Sequence, residues 1–353
     1  MTSLFRYDLG KGVKTHSQNP LARIPNLQTW SGIHHNNNIH LIGKHMGLPL
    51  PMCMTVCGVH CTKTVPLITT DGQGLTTARF VTSTGPSEKV YIIYTLRFNM
   101  DSHIGWVDPN GTVTPLYSSE NVLGPACTTG PKVVVACYDA YNGQLGLTVV
   151  NLQSNRKRQG WPLRMPPETA GCLFGHIKLV VINEKTVRVI SKRGQFRWFD
   201  VIIDGDTVTT ANDGAPVPPD GEHIPMPPAK VGHPTSAGSI IVLPTTDGIT
   251  FANAITKRVS KPVRWGNYSV YGSTLIQWEG WPYLVCIRKN QLVVTSILDD
   301  DTGYRLARAS RTVLDLPGLT ELKKEDRVTI THLGNQWVMV GYNNTQTVIV
   351  QVF

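Results

Sequence analysis

The feature that most constrains this chain is a rhythm of short strand-forming runs, continuing from end to end with no amphipathic helix between them. Val90–Leu96, Val133–Tyr138, Leu145–Val150, Ile177–Ile182, Val187–Ser191, Ser239–Leu243, Tyr283–Arg288, Gln291–Ile297, Gln336–Tyr342 and Thr347–Phe353 are each of strand length and rich in β-branched or aromatic residues. Gly, Pro, Asn and Asp break the chain every few residues. The 32 glycines and 24 prolines are spread along it, as the turn residues of a many-stranded protein would be. The expected fold class is all-β.

The runs fall into groups of about four strands with a spacing of roughly 45–50 residues. The groups run from about Arg23 to Thr70, Thr76 to Tyr117, Val122 to Leu163, Gly171 to Thr210, Ser236 to Ser260, Tyr268 to Leu316 and Arg327 to Phe353. In this rhythm the chain resembles the β-propeller superfamily over most of its length. The resemblance implies one closed ring over residues 1–353, with seven blades by this grouping and six as the alternative count. The last group has strength for only three strands, and Leu4–Leu9 forms an isolated strand-like run near the other end. An N-terminal strand closing the last blade would remove both free edges. The segment Asn212–Pro234 breaks the rhythm. Its prolines disfavour strand pairing, so it reads as a long Pro-rich surface loop inside the ring.

No named repeat fits. The chain contains neither a Gly-Gly doublet nor a Trp-Asp dipeptide; Gly175-His176 followed by Trp198-Phe199-Asp200 is the nearest approach to a WD-type blade. Arg23-Ile24-Pro25 resembles the element that opens sialidase propellers, where the arginine belongs to a triad gripping a substrate carboxylate. Thr245–Phe251 is similar to a sialidase Asp-box but one residue short between Asp and Gly, and Thr69–Thr76 is a poorer copy. The remaining arginines and the tyrosine–glutamate pair of that family have no counterpart that can be assigned. Leu67–Gly72 and Leu243–Gly248 echo each other, and Asp-Gly in both suits a tight turn.

Of the 353 residues 41% are hydrophobic and 16% charged, which allows a large core, and the formal net charge is +9. A basic balance favours acidic partners. Arg156-Lys157-Arg158, with Trp161 and Arg164 beyond it, joins cations to an aromatic that could stack on a base, a sugar or a peptide side chain. Lys192-Arg193 with Arg197-Trp198, and Lys257-Arg258 with Lys261 and Arg264-Trp265, repeat the pattern. The eight tryptophans come about once per group and are expected to pack between blades. Trp278-Glu279-Gly280-Trp281 carries two, flanking a turn, and is the better candidate for stacking on a sugar.

The first group holds His34, His35, His40, His45, Cys53, Cys57, His60 and Cys61. Strand positions four apart lie about 13 Å from each other, so one zinc ion reaches all three cysteines only if the chain bends at Gly58; buried thiols acting as small hydrophobes are the expectation, with no metal. Asp299-Asp300-Asp301 before Gly303 could hold calcium, or simply form a solvated hairpin turn. Seven cysteines with no signal-like N-terminus and no long apolar run point to reduced thiols in a cytoplasmic or nuclear setting without a membrane segment.

No nucleophile elbow, phosphate loop, dinucleotide fingerprint or His-Glu-x-x-His occurs. The expectation is a non-enzymatic binding or scaffold protein that needs no cofactor. A propeller face would hold a protein partner first and a glycan second, through Arg156, Lys157, Arg158, Trp161, Trp278 and Trp281. A sialidase-like glycoside hydrolase, or a nucleic-acid-binding propeller using the basic–Trp loops, is the alternative.

Overall fold

The computed structural model describes residues 22–353 except 26, 36–37, 46–49, 58–59, 82–88, 97–100, 140–143, 154–162, 165–176, 194, 211–221, 224–233, 246–247, 265–267, 289–290, 301–302, 308–309, 316–328 and 343–345. The described residues form strands and turns, with no helix, in seven sheets. Sheet 1 comprises Leu27–His35, Asn38–His45, Met52–Cys57 and His60–Pro66. Sheet 2 comprises Leu75–Phe80, Val90–Leu96, Ser102–Val107 and Thr112–Ser119, with Ile68–Thr69 added in parallel to the last. Sheet 3 runs through Val122–Thr129, Lys132–Asp139, Gln144–Asn151 and Leu163–Arg164.

Sheet 4 follows with Lys178–Asn183, Thr186–Arg193, Gln195–Asp204 and Thr207–Thr210. Within the Pro-rich segment, Glu222–His223 pairs with Arg197 and Trp198 of that sheet. Sheet 5 is Thr235–Ala237, Ile240–Thr245, Gly248–Asn253 and Val263–Arg264. Sheet 6 is Tyr268–Trp278, Trp281–Arg288 and Gln291–Asp300, its outer edge shared by Gly303–Leu306 and Arg311–Asp315. Sheet 7 has Thr329–Gly334, Trp337–Tyr342 and Gln346–Gln351.

The fourth strand of sheet 7 is Ala22–Pro25, antiparallel to Gln346–Gln351 with Ala22 opposite Ile349 and Pro25 opposite Gln346. Arg23 therefore belongs to the last sheet and not, as its sequence neighbours suggest, to the first. The run Leu4–Leu9 lies outside the described residues.

Side-chain alternation explains why these sheets form a ring. Along Val133–Cys137, Val133, Val135 and Cys137 pack against sheet 2, while Val134 and Ala136 pack against sheet 4. Leu284 and Cys286 face sheet 5, and Val285 and Ile287 face sheet 7. Each of these middle strands is thus apolar on both faces, and its period of two divides it between two neighbours. Seven apolar clusters among the described residues fill the seven junctions. The cluster of Ile39, Leu41 and Met52 with Leu333, Met339 and Ile349 joins sheet 7 back to sheet 1. The architecture is a seven-bladed β-propeller.

The first strands of sheets 1 and 2, 3 and 4, 5 and 6, 6 and 7, and 7 and 1 lie side by side, so first strands form the inner ring and fourth strands the outer rim. An arginine spans each of the other two junctions. Arg79 reaches from sheet 2 to the carbonyls of Leu123 and Gly124 in sheet 3, and Arg188 from sheet 4 to the carbonyl of Ala254 in sheet 5. Arg188 is 4% exposed and directly opposite Asp200. Its Nε and Nη2 donate to the two carboxylate oxygens at 2.6 Å, and its guanidinium covers the Trp198 ring at 5.5 Å. Asp200→Asn leaves a guanidinium buried without its counter-charge, and a loss of about 3 kcal/mol is expected. Denaturant unfolding should show it as a lower midpoint at unchanged slope.

Candidate functional site

In each sheet the turn from first to second strand and the turn from third to fourth share one face of the ring, here the first face. Contacts between neighbouring sheets agree. Thr129 Oγ1 donates to the carbonyl of Glu184 at 2.8 Å, and Arg258 meets Asp299 at 3.6 Å. Asn335 and His34 approach at 3.5 Å.

Among the described residues the large exposed hydrophobic side chains are Val181 at 39%, Ile255 at 58% and Trp281 at 36%. They come from consecutive sheets, 4, 5 and 6. Ile255 and Trp281 are in or beside first-face turns, and Val181 is in the first-face half of its strand. Exposed apolar groups gathered on one face mark an interaction surface more than scattered ones do.

Ile255 is held out by its own loop. Asn253 Oδ1 accepts the backbone N–H groups of Ile255 and Thr256 at 2.9 and 3.0 Å, and its carbonyl accepts that of Lys257 at 2.9 Å. Lys257 has φ +59°, and the N–H of Asn253 bonds back to the carbonyl of Arg258 at 2.9 Å. Two bonds between Phe251 and Ser260 close the base at 2.8 and 3.0 Å. Asn253 Nδ2 donates to Tyr304 Oη at 2.7 Å, fastening the loop to sheet 6. The conformation of the turn is thus tied by the chain's own hydrogen bonds.

The hairpin of sheet 6 is equally defined. Glu279 and Gly280 have φ +48° and +80°, the pattern of a tight two-residue turn, with Trp278 directly opposite Trp281. Trp278 stacks on Phe353 with ring centroids 5.9 Å apart and planes 6° from parallel, so it packs against sheet 7. Trp281 presents the exposed ring of the pair. Arg156, Lys157, Arg158 and Trp161 lie outside the described residues; the chain leaves sheet 3 at Asn151 before them and re-enters it at Leu163 after them.

Other expectations meet a mixed outcome. Trp198, read with Arg197 as a basic–aromatic binding pair, is 2% exposed and buried between sheets 4 and 5 against Arg188, so it is part of the core. Trp106 and Trp337 also pack at junctions between sheets. Lys257, Arg258 and Lys261 are exposed. Arg258 shares its charge with Asp299, the first carboxylate of the Asp299-Asp300-Asp301 run, where the chain turns back as a hairpin with Asp300 opposite Gly303. Arg23 sits on the outermost strand of sheet 7, and the sialidase resemblance does not bring it to the inner ring.

Cys53, Cys127, Cys137 and Cys286 are buried and in no disulfide, and burial pushes the first three thiols up to about 12. Among the described residues no group of three or more His, Cys, Asp or Glu side chains is placed to hold a metal ion. His35 and His40 of sheet 1 pair with each other, and His34 reaches His332 of sheet 7 through Asn335. The His35 and His40 rings stand 6.4 Å apart, and His332 Nε2 lies 2.8 Å from the carbonyl of Asn335, whose side chain approaches His34. The histidine from sheet 7 escapes a reading confined to the first group.

Burial holds His34, His40 and His332 below their ordinary value of 6.5, and His35 adds repulsion at the first two. Above pH 6.5 all three are neutral in both folded and unfolded chains. Below it the unfolded chain takes up protons that the folded chain resists, so stability falls with pH until the depressed folded values are passed. Denaturation midpoints should therefore drop between pH 7.5 and 5.5, and by less in a His40→Gln/His332→Gln double variant. An equal drop in the two proteins would remove this cluster as the cause.

Similarity searches place the fold. No protein-family model matches the chain, and no curated protein matches it in sequence. Solved structures do resemble it. YCF48 from Cyanidioschyzon merolae has a TM-score of 0.56 at 10% identity, covering 94% of this chain and 98% of that one. BBS1N, solved in complex with ARL6DN, has 0.53 at 9% identity, covering 96% and 95%. A prolyl endopeptidase has 0.52 at 10% identity, and the match takes in 90% of this chain but only 45% of that one. At such identities the likeness is one of fold, and that fold is the β-propeller. No helix among the described residues is long and apolar enough to cross a membrane.

Proposed function

We propose that this protein is a non-enzymatic binding scaffold that holds a protein partner on the first face of its propeller, across sheets 4 to 6. The observation that carries this reading is the gathering of Val181, Ile255 and Trp281 on one face of consecutive sheets. Two of them sit on turns whose conformation is fixed by the chain's own hydrogen bonds, so little ordering entropy opposes binding. The similarity to BBS1N, solved in complex with ARL6DN, supports a protein as the kind of partner. A broad rigid surface with an aliphatic anchor and an indole suits a protein interface, where such anchors supply most of the affinity.

Capture from a nuclease-treated lysate, with wild type and an Ile255→Glu/Trp281→Ala variant as parallel baits, tests this. The wild type should retain a defined set of proteins, and the variant should lose them by at least tenfold while keeping its circular dichroism spectrum. Retention that disappears on nuclease treatment would assign the surface to nucleic acid. Wild-type binding to a glycan array, lost with Trp281 alone, would assign it to sugar. Equal capture by the two baits would sink the proposed face.

A further inference from the structure

The loop that carries Ile255 concentrates charge of one sign. Between Ala254 and Pro262 it holds Lys257, Arg258 and Lys261, all exposed, and no acidic residue. The sheets on either side reverse that balance. The first-face turns of sheet 4 carry Glu184, Asp204 and Asp206 against Lys185, and sheet 6 carries Glu279 and Asp299 against Arg305. Basic charge is therefore confined to one loop and bounded by carboxylates on two sides. Arg258 reaches the nearer of these, Asp299, at 3.6 Å, and the two side chains remain 44% and 56% exposed. An ion pair so open to water is weak, and it leaves the guanidinium accessible to a second carboxylate.

The cations are held in a set relation to the apolar tip. The entry to the loop is tied at Ala254, whose N–H donates to the carbonyl of Ser239 at 2.6 Å and whose own carbonyl accepts from Arg188 of sheet 4. The N–H of Lys257 and the carbonyl of Arg258 both bond to the backbone of Asn253 at 2.9 Å, so Ile255 is enclosed in a turn that has a cation at its close. An occupant must bring an apolar group to Ile255, 58% exposed, and negative charge to the residues beside it. A nucleic acid strand fits this pattern poorly. Its phosphates recur every few ångströms and would run onto the carboxylates of sheet 4 or sheet 6, and Ile255 offers no π-face to a base.

We propose that the segment seated on the Ile255 loop is acidic: a short stretch of the protein partner in which Asp or Glu residues flank an apolar side chain. The apolar side chain packs on Ile255, and the carboxylates meet Lys257, Arg258 and Lys261. The flanking carboxylates of this protein repel a longer acidic run, which limits the charged stretch to a few residues. The proposal rests on the reading of the first face as a protein-binding surface and gives the partner its chemistry.

A random peptide library displayed on phage is the probe, panned in parallel on wild type, on Ile255→Glu and on Lys257→Glu/Lys261→Glu. Sequences recovered on wild type should be enriched in Asp and Glu around Leu, Ile or Phe, and the best of them, as a free peptide, should bind more weakly as salt rises. Ile255→Glu should weaken that peptide by about tenfold or more. The double charge reversal should weaken it by a similar factor and should itself enrich basic sequences. If the reversal fails to fold, Lys257→Gln/Lys261→Gln takes its place and should bind the peptide with a flatter salt dependence. Neutral or basic sequences enriched on wild type and lost with Ile255→Glu would leave the protein-binding face standing and overturn its acidic partner. Acidic sequences recovered equally on all three baits would also overturn it. No enrichment on wild type would overturn the binding face and this proposal together. Labelled poly(dT) bound by wild type in place of any peptide, and lost with the double reversal, would assign the loop to nucleic acid and overturn the proposal.

Discussion

Burial of the middle strands on both faces is the constraint on which the ring depends. Val133 to Cys137 has no polar side, so a single sheet would leave Val134 and Ala136, or Val133 and Val135, facing water. Only a neighbour on each flank buries both sets, and the same holds for Leu284 to Ile287. A row of such sheets ends with two bare faces unless the last meets the first. Leu333, Met339 and Ile349 against Ile39, Leu41 and Met52 make that meeting. Apolar burial at about 25 cal/mol per Å² is large when summed over seven junctions, but it is non-directional and sets no register.

Direction comes from a smaller set of polar contacts between sheets. Arg188 needs both Asp200 in its own sheet and the Ala254 carbonyl in the next, so sheets 4 and 5 can slide little along each other. Asn253 with Tyr304 fixes sheet 5 against sheet 6, and Thr129 with the Glu184 carbonyl fixes sheet 3 against sheet 4. Ser31 with the Phe80 N–H does so for sheets 1 and 2. Such groups add little net stability over apolar packing, yet misplacing one leaves a buried donor or charge unmatched. They therefore penalise wrong alignments more than they strengthen the right one.

This division explains what could be read from the sequence. Strand runs and their grouping were legible, because β-branched content and turn residues are local signals, and all seven groups correspond to sheets. Ala22–Pro25 was misplaced because its pairing partner, Gln346–Gln351, is at the far end of the chain. Trp198 packs between blades as expected of the tryptophans, but its pairing with Arg188 rather than Arg197 could not be seen, since Arg188 comes from the adjacent strand. Trp278 and Trp281 look equivalent in sequence, and what separates them is Phe353, brought across from sheet 7. Ile255 carried no signal of exposure, because an isoleucine among polar residues is ordinarily drawn inward. Asn253 capping two N–H groups is what turns it out.

The same logic bears on where function can reside. The middle strands of this ring are committed to two junctions at once, each residue to one of them, so changing such a residue for a ligand disturbs packing between sheets. Freedom to specialise is left to the turns, where side chains leave the alternation. Ile255 and Trp281 occupy turns fixed by local hydrogen bonds, and substitution there leaves the junction clusters untouched.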